Sequence, residues 1–283
     1  MRVRFPCQAG VFYAGSKEAL KEQIEGCFLH KFGPGEIPSV NEGGPRKLVS
    51  LICPHAGYAF SGPVASNAYF QMARDGRIES AVILGPNHTG IGSGVSIMTE
   101  GVWRTPMGDV EIDSGLAKRI QRASKYIDID DIAHSNEHSI EVQLPFLQYI
   151  YGKGFKFVPI CMMMQDLEVS RDVGEAIVRS ISGRNVVTIA STDMTHYEPV
   201  KAANSKDRMA INAILELDEE RLQSVVESHG ITMCGYGPAS VAIYVAKKLG
   251  AKKASLLSYK TSGDVTGDLS SVVGYAAISM ARE

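Results

Sequence analysis

Four histidines, an aspartate and a cysteine in this 283-residue chain stand where they could do chemistry. His55 follows the apolar run 48–52 and the pair Cys53-Pro54, His88 follows the run 80–84 and the turn Gly85-Pro86-Asn87, and Asp193 and His196 follow the run 185–190. Imidazole is the commonest metal ligand and also the acid or base that titrates near neutral pH, so histidines gathered in one pocket point to metal chemistry or proton transfer. A lone loop histidine is usually structural or solvated. Three runs that end the same way are harder to explain so. His138 enters from the stretch Glu137-His138-Ser139-Ile140-Glu141, and Cys234 from the loop Ile231-Thr232-Met233-Cys234-Gly235-Tyr236-Gly237.

For these groups to meet, the runs before them must be neighbouring parallel strands. Residues 48–52, 80–84, 155–161 and 185–190 have the length and β-branched content of interior strands. Pro54 ends the first, because proline offers no amide hydrogen to a sheet ladder. In open α/β sheets ligands bind beyond the carboxyl ends of the strands, which is where these polar groups would then stand. Helices are predicted over 16–28 with Ser16 as N-cap, 62–74 closed by Gly76, 114–124 capped by Ser114, and 137–151 kinked or restarted by Pro145. Further helices are predicted over 167–182, 203–217, 219–227 behind Asp218, and 238–249. Residues 33–45 read as a glycine- and proline-rich surface loop, 103–109 as a hairpin, and 253–259 and 271–280 as closing strands. The alternation predicts an α/β fold, a single-domain three-layer α/β/α sandwich over residues 1–283 with a mixed, largely parallel sheet.

Composition excludes several classes. A chain that is 45% hydrophobic and 21% charged is an ordinary globular one rather than disordered or fibrous. A formal net charge of -2 and a pI near 6.4 give no basic field, so neither nucleic acid nor an anionic membrane is an expected partner. No apolar run reaches the ~20 residues of a membrane helix and the N-terminus lacks a secretory apolar core, so a cytoplasmic location is expected. Cys7, Cys27, Cys53, Cys161 and Cys234 are odd in number and widely spaced, against a disulfide framework. Gly90-Ile91-Gly92-Ser93-Gly94 and Gly235-Tyr236-Gly237 lack the strand-to-helix setting of a dinucleotide fingerprint, so no nucleotide is expected. Met162-Met163-Met164 reads as core filler, and His30 and His229 as helix-end caps. His134-Ser135-Asn136-Glu137-His138 fits the zinc pattern H-x-x-E-H, but a helix N-cap at Ser135 or Asn136 leaves His134 outside the helix and misaligned.

Pro54-His55-Ala56-Gly57-Tyr58, Gly85-Pro86-Asn87-His88, Trp103-Arg104-Thr105-Pro106, Glu137-His138-Ser139-Ile140-Glu141, Ser191-Thr192-Asp193 with His196, and Thr232-Met233-Cys234-Gly235 together resemble the Memo family. The resemblance runs from Gly10-Val11-Phe12-Tyr13 to Ser271-Val272-Val273-Gly274-Tyr275-Ala276. It implies a fold like that of the class III extradiol dioxygenases, non-haem iron enzymes that open catechol-like rings. It also implies a metal site made by His55, His88 and Cys234, holding iron or copper with zinc as a third option. Asp193, His196 and His138 are then catalytic groups around it, and Tyr58 and Asn87 bind substrate. A ring-cleaving iron centre uses two histidines and one carboxylate, and Cys234 stands where that carboxylate would be. A thiolate is a softer donor, favouring copper(I), zinc or a retuned iron. In the mechanism implied, His196 is an acid or base oriented by Asp193, and His138 binds substrate or oxygen. The family's prokaryotic members also imply association with a radical-SAM protein. A second class of function is a non-catalytic binding module, in which Phe12, Tyr58, Phe60 and Tyr236 wall a pocket that captures a peptide or other small ligand. A zinc hydrolase is the third.

Overall fold

The computed structural model describes residues 2–43, 46–181 and 183–283. The expected ends of the first loop at Pro45 and of one helix at Ser182 lie outside the described residues. In chain order the strands are β1 (Val3–Arg4), β2 (Leu48–Cys53), β3 (Ser80–Pro86), β4 (Val95–Ile97), β5 (Val102–Thr105), β6 (Gly108–Glu111) and β7 (Ile127–Ile129). They continue as β8 (Lys156–Met162), β9 (Val186–Ser191), β10 (His196–Glu198), β11 (Lys253–Thr261) and β12 (Val272–Ala281). The helices are α1 (Lys17–Leu29), α2 (Gly62–Asp75), α3 (Ser114–Ala123), α4 (Leu144–Tyr151), α5 (Leu167–Ser180), α6 (Val200–Leu215), α7 (Glu219–Ser228), α8 (Tyr236–Lys248) and α9 (Ser262–Thr266).

β2, β9, β3 and β8 lie side by side in that order and run parallel. Every residue of β2, β3 and β9 is buried, as strands covered on both faces must be. α2 covers β2 and β12 and is backed by α1 and α4, while α8 lies over β2, β9 and β3 and is backed by α5 and α7. This is the expected three-layer sandwich. The sheet is parallel at its centre and mixed toward its flanks: β12 adds antiparallel to β2 and carries β10 and β11, and β4 adds antiparallel to β8 before β7 closes the far edge. β5 and β6 form the hairpin expected around 103–109, in a separate small sheet with β1. Because β2, β3 and β9 are parallel, their carboxyl ends share one edge. β12 runs the other way, so its first residues reach that edge too. Among the described residues no helix is long and apolar enough to cross a membrane.

Three local expectations are corrected. Residues 137–151 are not one helix: the chain is irregular through residue 140, makes a 3-10 turn at Glu141–Gln143, and becomes α4 only at Leu144. Pro145 lies in the first turn of α4, where a missing amide hydrogen is harmless, so it starts the helix rather than kinking it. Asp113, not Ser114, caps α3, accepting the Leu116 amide at 3.0 Å. His196, expected in a loop, begins β10.

Gly85, near the end of β3, is where the irregular segment crosses the sheet. A Cβ there would stand 2.3 Å from Ser139 Oγ and 2.9 Å from Ser139 Cβ. That closeness allows the Ser139 hydroxyl to donate to the Pro86 carbonyl at 3.0 Å. Gly85→Ala is therefore expected to destabilise the protein by about 1–3 kcal/mol, the range for overpacking a filled interior. Differential scanning calorimetry checks this, and an unchanged melting temperature counts against the close-approach account.

Candidate metal centre

His55 is held by the exit of β9. Its main-chain amide donates to Asp193 Oδ1 at 2.8 Å, and its ring Nδ1 lies 3.0 Å from Ser191 Oγ. Ser191 donates its only proton to the Ser139 carbonyl at 2.6 Å and accepts from Gln143 Nε2 at 2.7 Å. It has no proton left for His55, so Nδ1 carries the hydrogen and Nε2 keeps its lone pair.

His88, beyond β3, is gripped by one carboxylate. Its main-chain amide donates to Glu137 Oε2 at 2.6 Å and its Nδ1 lies 3.0 Å from Glu137 Oε1. Burial pushes the Glu137 carboxyl up, but the His88 hydrogen bond, the neighbouring imidazoles and the Ser139 amide outweigh it and hold it at about 2. An ionised carboxylate only accepts, so His88 donates through Nδ1 and presents Nε2 as a lone pair. His138 stacks on His88 with ring centres 4.6 Å apart, and both rings stand nearly perpendicular to His55 at 5.4 and 5.1 Å. One nitrogen from each of His55, His88 and His138 lies within 4.8 Å of the other two. Burial, reinforced by the neighbouring histidines, puts His55 well below the usual imidazole range, and burial lowers His138 as well. Three converging imidazoles, of which His55 is buried, His138 partly buried and His88 more exposed, two with Nδ1–H fixed by an acceptor, have the donor chemistry and outer support of a transition-metal or zinc site.

Cys234 precedes α8, with its Sγ 3.3 Å from His55 Nε2 and accepting the Asp193 amide at 3.3 Å. Burial first and the Asp193 carboxylate second push the thiol up to about 12. Gly235 makes this approach feasible, since a Cβ there would stand 2.7 Å from the Ser191 carbonyl. Cys234 touches His55 but is outside the mutually close histidine group. Asp193 is buried, which pushes its carboxyl up to about 6 against the pull of the His55 amide. His196 donates its amide to Thr232 Oγ1 at 2.7 Å and its Nδ1 hydrogen to the Thr232 carbonyl at 2.9 Å, so Thr232 rather than Asp193 orients it.

His55, His88, His138, Asp193 and His196, but not Cys234, line a cavity of about 530 Å³, whose other walls include Val11, Phe12, Phe60 and Tyr197. Tyr58, Asn87 and Tyr236 are not among its lining residues. Tyr58 is buried against Tyr13 and Phe146, its hydroxyl donating to the Val142 carbonyl at 2.6 Å. Asn87 folds its loop, accepting the Thr89 and Gly90 amides and donating to the Ile91 carbonyl. His134 is fully buried against Trp103 and is not in the histidine group, which leaves H-x-x-E-H without its geometry.

Sequence reasoning missed the residues that hold this arrangement. Buried Glu141 accepts the Cys7 amide at 2.8 Å, the Gln8 amide at 3.0 Å and the Tyr13 hydroxyl at 2.6 Å, and pairs with Arg4. Arg4 also donates to the Glu137 and His134 carbonyls and lies over the Trp103 ring. The N-terminal strap is thereby fastened to the segment that carries His138, and Phe12 meets His138 in a T-shaped contact with ring centres 5.0 Å apart. The available signal was an acidic residue set between the apolar Ile140 and Val142.

A family model described as Memo-like protein matches residues 4–279. A MEMO1 family protein of Methanopyrus kandleri is 54% identical over 281 residues, covering 99% of each chain. One of Methanocaldococcus jannaschii is 48% identical, covering 98% of each. The fold is similar to that in the crystal structure of an uncharacterized protein from Escherichia coli K12, at a TM-score of 0.55 and 13% identity, covering 82% of this chain and 99% of that one.

Two outcomes follow from the buried carboxylates. Glu137→Gln replaces an acceptor by a group that also donates, loosening the His88 tautomer, and is expected to weaken zinc binding about 10–100-fold in a chelator-competition titration. Unchanged affinity would deny Glu137 its orienting part. Glu141→Gln leaves Arg4 buried without its counter-charge and is expected to cost about 3–5 kcal/mol at pH 7. Burial raises the Glu141 carboxyl, but Arg4 and the converging donors outweigh it and set it below its ordinary 4.5. Its stabilisation is therefore full above that pH and lost as pH falls below it. Urea unfolding should show the gap between wild type and variant closing in acid, and a gap that persists there refutes the ion pair as its source.

Proposed function

The chain belongs to the Memo family, and on that premise we propose that it holds iron or copper on His55, His88 and His138 for oxygen or redox chemistry on a small aromatic compound. The observation that carries this reading is the convergence of three imidazole nitrogens within 4.8 Å in an apolar-walled cavity. A bound iron or copper ion supplies one-electron chemistry and coordination positions open to substrate.

The chain's own residues do the rest. Ser191 and Glu137 hold the Nδ1 hydrogens of His55 and His88, which keeps both Nε2 lone pairs directed away from those anchors. His196, with its Nδ1 hydrogen on the Thr232 carbonyl, offers Nε2 to the same cavity as a proton acceptor. Phe12 and Phe60 make one wall of the cavity apolar. Cys234 stands beside His55 as a further donor, and enters the ligand shell only by giving up its proton.

Metal content of anaerobically purified, reconstituted protein tests the donor set. His55→Ala and His138→Ala are expected to retain less than about a tenth of the wild-type ion, and Cys234→Ser to bind it about tenfold more weakly without losing it. Loss in Cys234→Ser together with full retention in His138→Ala moves the third position to the thiolate. Full retention in every variant removes the site. Oxygen uptake by iron-loaded protein with catechol tests the chemistry separately, and no uptake eliminates ring opening.

A further inference from the structure

The walls of the cavity restrict what can enter it. Among the described residues that line it there is no lysine or arginine, and the one carboxylate is Asp193. Its mouth is apolar and accessible: Val11 is 76% exposed, Phe60 40% and Tyr197 77%. The placement of Tyr197 is built into the sheet. His196 pairs with Val273 and Glu198 with Val272, so Tyr197 is the extra residue of a bulge, and its backbone is left-handed with φ 58°. A bulky residue at positive φ is uncommon, and bulges re-aim side chains. Here the irregularity leaves an aromatic ring exposed beside the cavity, 5.7 Å from the His196 ring. Deeper in, Phe12 meets His138 in a T-shaped contact and continues the aromatic wall to the histidines.

An anionic substituent carried into this space loses its hydration and meets no fixed cation of the protein, while Asp193, the one carboxylate among the described lining residues, has the same sign. Apolar and aromatic surface, by contrast, is matched by Phe12, Phe60 and Tyr197. We infer that the compound taken by this site is uncharged away from its metal-binding end: an aromatic body, without phosphate or carboxylate substituents, lying against Phe12, Phe60 and Tyr197. The inference rests on the proposed metal reading only for the end that reaches the histidines. The walls alone set the class of the body.

Calorimetric binding separates the two. Zinc-loaded protein is titrated with 4-methylcatechol and with 3,4-dihydroxybenzoate, and metal-free protein at pH 8 with 2-naphthol and with 2-naphthoate. The uncharged member of each pair is expected to bind at least about tenfold more tightly, the scale of leaving a charge imperfectly paired. In Phe60→Ala and Tyr197→Ala, whose folding is checked by circular dichroism, its affinity is expected to fall about tenfold. Equal or tighter binding of the carboxylates, or no binding of either compound in either state, overturns the inference. Zinc stoichiometry in the same titrations reports on the metal reading independently, and the naphthalene pair decides the charge preference even where no zinc binds.

Discussion

The buried pair of Arg4 and Glu141 is the constraint on which the rest of the pocket depends. Taking two charges out of water is favourable only when nearly every donor and acceptor they expose is satisfied. Glu141 meets that condition with two main-chain amides and the Tyr13 hydroxyl besides Arg4, and Arg4 meets it with two carbonyls of the facing segment. The demand for those partners fastens residues 4–13 to residues 134–141. It sets the position of Glu137, which fixes His88, and of Phe12, which closes on His138. Residues at opposite ends of the first half of the chain thus reach the site through one ion pair.

The same demand explains why the segment before α4 is irregular although its apolar spacing is helical. Ile140, Leu144, Leu147 and Tyr151 recur at helical intervals and are all buried. Periodicity reports which side chains face the core, not where the carbonyls go. Here the carbonyls of His134, Glu137, Ser139 and Val142 accept from Arg4, Arg4, Ser191 and Tyr58 respectively. A helix would engage most of those oxygens with its own amides. The tertiary partners win because leaving a buried guanidinium or hydroxyl unpaired costs more than a turn of helix contributes.

What could be read from the sequence follows the same division. Interior strands announce themselves by length and β-branched content, and β2, β3 and β9 carried His55, His88 and Asp193 to one edge as their exits suggested. Helix caps with local partners, such as Ser16 and Asp218, were equally legible. The supporting contacts were not, because Ser191, Gln143, Thr232 and Arg4 act across sequence separations of 36 or more and leave no spacing to recognise. Tyr58 and Asn87 sit inside recognisable motifs, yet their polar atoms are engaged in the core and in a turn.

The placing of Cys234 shows how the fold ranks its donors. Burial favours the neutral form of every ionisable group, but that form differs between side chains in what it offers an ion. A neutral imidazole already has its lone pair exposed, so burying His55 and His138 readies them as ligands. A neutral thiol keeps the proton that an ion must displace, and the same burial, with Asp193 beside it, makes that proton harder to remove. The surroundings thus arm the histidines and restrain the cysteine. A cation with strong affinity for sulfur can offset the restraint, whereas one content with nitrogen has no reason to, so the response of Cys234 depends on the ion as much as on the fold.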